Sequence, residues 1–271
     1  MADVLCIGNA SFDLSVLSSG FPAENSKAET DTMLEAGGGP AANAAYLLAS
    51  WGIACAFAGL VGDDHYGRRI AVEFRAAGVD ISLLEQRPGH ITPLSVILIN
   101  RNNGSRTIVN RKSKTKPLKL EPEHLIRLSP RVLLFDGHEL EASLDALNAF
   151  PNVTSILDAG SWREGTAELA GRVNYLAASE RFALQACQLP DLDSLEHRRS
   201  ALRQLRARYR NTVVVTLGER GLIADDGHGL FEMDAFKVKA VDTTAAGDIF
   251  HGAFVYGVLR EMSFQQNLRH P

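Results

Sequence analysis

The chain has 271 residues, of which 45% are hydrophobic and 22% are charged, a composition that is ordinary for a globular protein and excludes a disordered one. Its net charge of -4 argues against a general nucleic-acid binder, which would be basic. The three cysteines lie far apart and form no CxxC pair, so the sequence predicts no disulfide framework and a cytoplasmic location.

Short apolar runs alternate with longer segments of helical spacing, a pattern typical of a parallel sheet that helices cover on both faces. Residues 36–62 carry no charge, but a run of glycines and Gly52 divide them, so we predict a buried helix and strand there and no membrane span. The predicted interior strands are 4–7, 53–58, 132–135, 155–157 and 212–216, and the predicted helices are 41–51, 68–77, 140–150 and 195–209.

Two segments, approximately 11–34 and 92–112, break this alternation and are predicted to form a small β-layer that projects as a lid. In the second segment, a hairpin is expected to turn at Asn102-Asn103-Gly104. We find no internal repeat and no linker, so residues 1–271 are predicted to form one domain. Seven basic residues and no acidic residue lie between Arg101 and Lys119; a solvated face is the simpler interpretation, and steering of an anionic substrate or ATP is the alternative.

The most informative segment is Asp242-Thr243-Thr244-Ala245-Ala246-Gly247-Asp248, which is typical of a small-residue turn that opens a helix. The side chains at 245–247 are too small to cover their own backbone, so their N–H groups are predicted to converge on an anion. Asp248 then lies where it can accept a proton from a hydroxyl group. A base beside an anion cradle is what phosphoryl transfer needs, whereas the alternative is an ordinary helix start capped by one of the threonines.

Three weaker patterns follow other predicted strands or turns. A helix that carries Asn43 follows the run Gly37-Gly38-Gly39-Pro40. The glycines would let a ligand approach the backbone, and the side-chain amide of Asn43 would form hydrogen bonds with it. The alternative is that the run is only a tight turn. Asp13 follows the first strand, at the edge of the sheet where ligands bind, and a solvated turn is its alternative. A third pattern is Thr216-Leu217-Gly218-Glu219-Arg220-Gly221, which follows a predicted strand. Its two glycines would make room for the phosphate or ribose of a nucleotide, and the alternative is a simple β-turn.

Together these patterns resemble the ribokinase-like carbohydrate kinases, also called the PfkB family, in the same order along nearly the whole chain. Gly38-Gly39 with Asn43 and the later Gly62-Asp63-Asp64 are similar to the first signature of that family, and residues 242–255 are similar to the second. The resemblance implies an α/β fold of three layers, α/β/α, with a mostly parallel central sheet and a small β-lid that often mediates a homodimer. It also implies Mg·ATP as the phosphoryl donor and a small-molecule sugar as the acceptor.

The resemblance also assigns roles to residues. Asp248 would be the base on the sugar hydroxyl, and the amides of Ala245, Ala246 and Gly247 would form the anion hole for the γ-phosphate. Asp242 and Thr244 match positions that hold a monovalent cation, usually potassium. The residues matched to sugar binding are Asp13, Gly38, Gly39 and Asn43, and those matched to the ATP site are Ser179, Thr216, Gly218 and Gly221.

The sequence departs from the family pattern in two places. The Asn-x-x-Glu element of the family, tied to magnesium and phosphate, falls at 179–182, where Ser179 replaces the Asn and Phe182 replaces the Glu. Glu180 is then the neighbouring candidate for magnesium. The sequence ends at Pro271, soon after the catalytic helix, where relatives continue with helices that complete the adenine pocket and the cation site. We therefore expect an altered magnesium site and missing C-terminal helices.

Our leading hypothesis from the sequence is an ATP-dependent sugar kinase. A nucleoside kinase is the enzymatic alternative, but Arg106, Asn110 and Arg111 favour a polar ligand over the aromatic-lined lid that a nucleoside would need. A non-catalytic sugar-binding relative is the other alternative, because the 179–182 element is altered and the carboxyl end is short. The basic residues of the lid would also fit an anionic or phosphorylated sugar.

Overall fold

The computed structural model describes residues 2–112, 116–240 and 242–269, whose strands form two sheets. The strands are β1 (Val4–Ile7), β2 (Ser11–Ser18), β3 (Met33–Gly38), β4 (Cys55–Gly62), β5 (Asp80–Arg87), β6 (Leu94–Asn100), β7 (Arg106–Arg111), β8 (Val132–Phe135), β9 (Thr154–Ala159), β10 (Tyr175–Ser179), β11 (Thr212–Thr216), β12 (Leu222–Asp225) and β13 (Phe231–Met233). The helices are α1 (Pro40–Ser50), α2 (His65–Ala77), α3 (Pro122–Leu128), α4 (Leu140–Ala149), α5 (Glu164–Leu169), α6 (Glu180–Cys187), α7 (Leu195–Tyr209), α8 (Ala246–Leu259) and α9 (Phe264–Arg269).

The main sheet has the strand order β13-β12-β11-β10-β9-β8-β1-β4-β5 over the described residues. The strands from β11 to β5 run parallel, and β12 and β13 add an antiparallel edge. Every residue of β1, β4 and β8 is buried, as expected for parallel strands that are covered on both faces and are therefore apolar throughout. The predicted mostly parallel central sheet is confirmed.

Helices cover both faces of this sheet and enclose two apolar cores. Helices α1, α2, α8 and α9 pack on one face, and α3 to α7 pack on the other. Because successive side chains of a strand point to opposite faces, Leu5 and Ile7 of β1 enter one core while Val4 and Cys6 enter the other. The predicted three-layer α/β/α architecture is thus confirmed. Among the described residues, no helix combines the length and the apolar character that crossing a membrane requires.

The smaller sheet has the order β3-β2-β6-β7 over the described residues and comes mainly from the two segments that break the alternation. Strand β3 runs past the predicted bound at 34 to Gly38, so part of the predicted glycine turn is extended strand. Strands β6 and β7 form a hairpin, in which the amide of Gly104 donates to the carbonyl of Asn100 at 2.8 Å. Asp13 pairs with Ser95 across β2 and β6, and Ser95 pairs with Asn110 across β6 and β7. These three polar side chains therefore form one row on one face of the sheet.

The turn from β3 into α1 depends on Gly39. Its φ of 109° lies in the left-handed region, and a Cβ there would lie 2.3 Å from the carbonyl oxygen of Asn9, so only glycine fits. Pro40 follows in the first turn of α1, where its missing N–H leaves no hydrogen bond unmade. The helix therefore begins at a fixed point beside the carboxyl end of β1.

Candidate active site

A cleft of about 590 Å³ lies between the carboxyl ends of the parallel strands and one face of the smaller sheet. In open parallel sheets, ligands bind at this edge because the loops after the strands meet there. Six of the predicted site residues line this cleft: Asp13, Gly39, Asn43, Thr244, Ala245 and Asp248.

Asp248 lies in the first turn of α8, with its carboxylate held by a residue of another helix. The side-chain amide of Asn43 in α1 donates to Asp248 Oδ2 at 2.7 Å. Burial raises the pKa of Asp248 to about 6 and the charge of Asp158 adds to the rise, whereas the Asn43 hydrogen bond and His251 oppose it. Such a carboxylate is ionised at neutral pH and is more basic than an ordinary aspartate, as general base catalysis requires.

A buried ion pair lies behind this carboxylate. His251 is one turn further along α8, and its Nδ1 lies 2.7 Å from Asp158 Oδ2, with both side chains only 5% exposed. The angles fall outside hydrogen-bond geometry, so we describe the contact as electrostatic. Burial alone would lower the pKa of His251, but the charges of Asp158 and then Asp248 outweigh burial and raise it. The two carboxylates therefore favour the protonated form of the imidazole.

The start of α8 presents backbone amides at the cleft. Ala245 precedes the helix with a φ of 59°, a left-handed conformation that costs an alanine about 1 kcal/mol. Among the described residues, no acceptor is found for the amides of Ala245, Gly247 and Asp248, and Ala246 makes only a long bond of 3.3 Å to the carbonyl of Thr243. These free amides can hold an anion. Compared with the sequence prediction, the Ala246 amide is partly engaged, and the amide of Asp248 itself joins the set.

The two residues matched to a monovalent cation lie just before these amides. The amide of Thr244 donates to Asp242 Oδ1 at 2.8 Å, and the hydroxyl of Thr244 is buried without a hydrogen-bond partner. An unpartnered hydroxyl near a carboxylate suits a cation that prefers oxygen ligands. No cluster of three or more His, Cys, Asp or Glu side chains that could hold a metal ion occurs within residues 2–112, 116–240 and 242–269.

The opposite wall of the cleft carries the polar row of Asp13, Ser95 and Asn110. Burial raises the pKa of Asp13, while hydrogen bonds from Ser95 and then Ser11 oppose the rise. Gly38 does not line the cleft but lies against this carboxylate, since a Cβ there would be 2.2 Å from Asp13 Oδ2. Gly38 therefore makes room for the acidic side chain and acts on the site indirectly.

Asp136 organises this end of the sheet and was missed by the sequence analysis. Its fully buried carboxylate accepts hydrogen bonds from the amides of Asn9 at 2.9 Å, Ala41 at 3.2 Å and His138 at 2.9 Å. It thus joins the end of β1, the start of α1 and the loop after β8. Its position directly after the predicted strand 132–135 was a usable signal. In the same loop, burial raises the pKa of Glu139 to about 7.

A second, shallower pocket of about 530 Å³ lies at the ends of β10 and β11, beyond the cleft. Ser179 and Thr216 are register partners across these two strands, and Gly218 lies next to them. Gly218 has a φ of 61° and open space where a Cβ would be, so a ligand can approach its backbone. Gly221 instead packs closely on β13, where its Cβ would lie 1.9 Å from the carbonyl oxygen of Met233.

The altered element at 179–182 is already engaged with protein groups. The hydroxyl of Ser179 caps α6 by accepting from the amide of Phe182 at 3.1 Å, and it donates to the carbonyl of Gly160 at 2.8 Å. Glu180 forms an ion pair with Arg220. Phe182 is fully buried. These residues do not fit the role of direct magnesium ligands.

The hairpin of the smaller sheet contacts the loop before α8. Arg106 Nη1 donates to the hydroxyl of Thr243 at 2.7 Å, and that hydroxyl lies 3.3 Å from the carbonyl of Gly104. The smaller sheet therefore touches the segment that presents the open amides.

Known proteins match this arrangement along the whole chain. A family model described as pfkB family carbohydrate kinase matches residues 1–270. The chain belongs to the pfkB family of carbohydrate kinases. As a pfkB family kinase, it is a phosphotransferase that acts on a hydroxyl group, and the resemblance predicted from the motifs is confirmed.

Individual relatives agree with this assignment. A 5-dehydro-2-deoxygluconokinase of Shouchella clausii is 30% identical over 291 residues, which cover 98% of this chain and 86% of that protein. A ribokinase of Lactococcus lactis is 26% identical and covers 99% of this chain and 88% of its own length. The solved structure of a candidate ribokinase from Agrobacterium tumefaciens superposes with a TM-score of 0.87 at 29% identity, covering 98% of this chain and 87% of that one. The ribokinase-like fold is therefore confirmed.

Proposed function

We propose that this pfkB family kinase transfers the γ-phosphate of ATP to a hydroxyl group of a sugar. The observation that carries the proposal is the position of Asp248, whose carboxylate is held by Asn43 at 2.7 Å in the cleft, beside amides that have no acceptor among the described residues. A base and an anion hole at one point are what phosphoryl transfer to an alcohol requires.

In the proposed reaction, Asp248 accepts the proton of the sugar hydroxyl while the hydroxyl oxygen attacks the γ-phosphorus. The bond from the γ-phosphorus to the oxygen bridging it to the β-phosphate breaks, and ADP leaves with that electron pair. The free amides at the start of α8 stabilise the charge on the transferring phosphoryl group. Asn43 keeps the carboxylate turned to the cleft and favours its ionised form.

The lining of the cleft supports a sugar over a nucleoside. The wall opposite Asp248 offers the polar row of Asp13, Ser95 and Asn110, and Gly39 and Asn43 complete the polyol-binding set. No Phe, Tyr or Trp ring lines the described part of the cleft, although bases are commonly held by stacking on such rings. Relatives named ribokinase, ketohexokinase and 5-dehydro-2-deoxygluconokinase also support a sugar.

ATP would extend from the anion hole to the shallow pocket beside Ser179, Thr216 and Gly218, with Gly221 shaping the turn. An Arabidopsis thaliana ribokinase whose structure is described as complexed with ribose and ATP has a TM-score of 0.80 to this chain at 22% identity. Asp242 and Thr244 would hold potassium, which supplies positive charge beside the anion hole. Magnesium would be carried by the nucleotide phosphates, because the groups at 179–182 are engaged elsewhere.

The smaller sheet would act as a lid and as a dimer surface. The face that points away from the cleft exposes the apolar side chains of Met33, Val96 and Val109. Exposed apolar strands of this kind are commonly covered by a partner. Light scattering should give twice the mass of the monomer for the wild type. The variant Val109→Lys should give the mass of the monomer. A wild-type protein that stays monomeric at high concentration would reject this arrangement.

The test of the proposed function is ADP release with neutral sugars, sugar acids, sugar phosphates and nucleosides, with and without potassium. We expect Asp248→Asn to lower turnover at least about 100-fold while calorimetry still detects sugar binding. Retention of most activity would reject the assignment of the base. Turnover restricted to nucleosides would select a nucleoside kinase, and sugar binding without any turnover would select a non-catalytic relative.

A further inference from the structure

The cleft is positively charged in a chain that is negatively charged overall. Five cationic side chains line it, against three carboxylates, whereas the whole chain carries a net charge of -4. All three carboxylates, Asp13, Glu139 and Asp248, have raised pKa values, and the pKa of Glu139, at about 7, weakens its negative charge near neutral pH. The cations are Arg106, Arg111, Lys112, Arg163 and Arg181.

None of these five cations has a carboxylate partner within 4 Å among the described residues. The chain has 32 acidic residues, and it pairs other arginines, such as Arg101 with Asp31 at 2.8 Å and Arg198 with Glu232 at 3.0 Å. Cations in a cleft that are left without counter-ions raise the local concentration of anionic ligands.

Arg163 and His138 form one cluster at the ends of β9 and β8, and Lys112, which lines the same cleft, acts on it through its charge. Arg163 Nη1 contacts the imidazole of His138, and Arg163 Nε is buried without a hydrogen-bond partner. Burial lowers the pKa of His138, and the charges of Arg163 and Lys112 lower it further against the opposing effect of Asp136. An unpaired guanidinium beside a second cation is costly unless an anion joins it.

The backbone holds this cluster firmly. Arg163 is the residue before α5, and its amide donates to the hydroxyl of Thr166 at 3.0 Å. The amide of His138 donates to Asp136 at 2.9 Å. The two side chains thus lie on fixed loops, which is the preorganisation that a binding subsite needs.

The contacts of the Arg163 side chain differ from those of the cations that fit the nucleotide. Arg181 lines both the cleft and the shallow pocket at β10 and β11, and Arg106 touches the loop before the anion hole, so both fit the ATP phosphates. Arg163 instead turns toward His138 after β8, on the side of β1. Lys112 follows the end of β7, two residues after Asn110 of the polar row.

We infer that the acceptor sugar carries an anionic group, a carboxylate, phosphate or sulfonate, which binds Arg163 and Lys112 beside His138. This inference rests on the proposed function and specifies its substrate class. Arg163 can donate two hydrogen bonds to such a group, and Lys112 adds a mobile charge. The anionic group is bound and is not changed by the reaction, while a separate hydroxyl is phosphorylated at Asp248.

The experiment compares one neutral ketohexose with its 6-phosphate, its 6-sulfonate analogue and a keto-deoxy hexonate of the same length. At least one anionic sugar should show a kcat/KM that is at least about tenfold higher than that of the neutral sugar. Lys112→Gln and Arg163→Gln should each lower that value by about 10- to 100-fold, the effect of one charge-assisted contact. The KM for ATP should change less than about threefold, and kcat/KM for the neutral sugar should fall less than that for the anionic sugar. Comparison of the phosphate, the sulfonate and the hexonate identifies which anionic group the cleft binds.

The matched control is Arg127→Gln, which removes an exposed arginine of α3 that lies outside the cleft. Preference for the neutral sugar would overturn the inference, and so would an increase of the KM for ATP in both cleft variants. The first of these results leaves the proposed function intact, provided that turnover still depends on Asp248. If no sugar is turned over, calorimetry with the anionic sugars decides: binding lost in Lys112→Gln supports the subsite, and no binding rejects it.

Discussion

Replacing Asp248 by Asn should separate the activity of the enzyme from its stability. The ionised carboxylate is disfavoured in the folded state, because burial and Asp158 raise its pKa from 3.8 to about 6. An amide of the same shape removes this unfavourable charge while keeping a polar contact with Asn43. The variant should therefore be inactive and more stable than the wild type at neutral pH.

The magnitude follows from the size of the pKa shift. Two pKa units correspond to about 3 kcal/mol, which we reduce to about 1–2 kcal/mol because the side chain is only partly buried. The loss of the attraction between Asp248 and His251 opposes part of this gain. For a chain of this size, the expected rise in Tm is roughly 2–6 °C.

The sign of the pH dependence is fixed by linkage. A carboxyl group whose folded pKa is raised costs nothing below its unfolded pKa, because it is protonated in both states. The cost appears as pH rises through the interval from about 4 to about 6 and is complete above it. Asp248→Asn should thus gain little stability near pH 4.5 and the full amount at pH 8.

The assay is urea unfolding at several pH values, with the exposed loop variant Glu24→Gln as a control for the loss of one negative charge. The control should shift the midpoint little and without a step in this pH interval. An Asp248→Asn protein that is less stable than the wild type at pH 8, or whose gain does not vary with pH, would refute the reasoning.

Three further outcomes are expected. Asn43→Ala removes the hydrogen bond that favours ionised Asp248, so the acid limb of the profile of kcat/KM against pH should move upward from about 6; an unchanged limb would contradict this. Gly38→Ala should raise the KM for sugar more than tenfold, because its Cβ would lie 2.2 Å from the adjacent carboxylate, whereas Gly20→Ala has open space and should be silent. Glu180→Gln should change the magnesium dependence less than about threefold, because its carboxylate pairs with an arginine, and a larger loss would assign it a metal role.

The features that sequence could predict are those that depend on neighbouring residues. The amides of Ala245 and Gly247 have no acceptor among the described residues, as expected for a helix that starts at three small side chains, and this information lies within one heptapeptide. The alternating apolar runs likewise predicted the parallel sheet and its helices. Gly39 was a weaker signal of the same local kind, since its positive φ reflects the tight turn that was one interpretation of the glycine run.

The features that sequence could not predict depend on pairings between distant segments. Asp158 and His251 belong to β9 and α8, and their contact arises only because α8 packs on the end of β9. The polar row likewise depends on the register of β6, where a shift by one residue would turn Ser95 away from the cleft. The role of Ser179 is similar, because its hydroxyl is consumed by a helix cap that the family pattern does not indicate.

The electrostatics of Asp248 also distinguish the two interpretations of its motif. A carboxylate that served only to start a helix would be stabilised by the macrodipole, by about 0.3–1 kcal/mol, and its pKa would fall. Here burial and Asp158 outweigh that attraction, and the pKa rises to about 6. The charged side chain therefore costs stability at the position where it lies, which an ordinary cap would not do. A second unfavourable feature lies near Asp248, because the backbone of Ala245 adopts a φ of 59° although the residue is not glycine. Two unfavourable features at one helix start support a site shaped by chemistry, and the unfolding experiment measures the first of them directly.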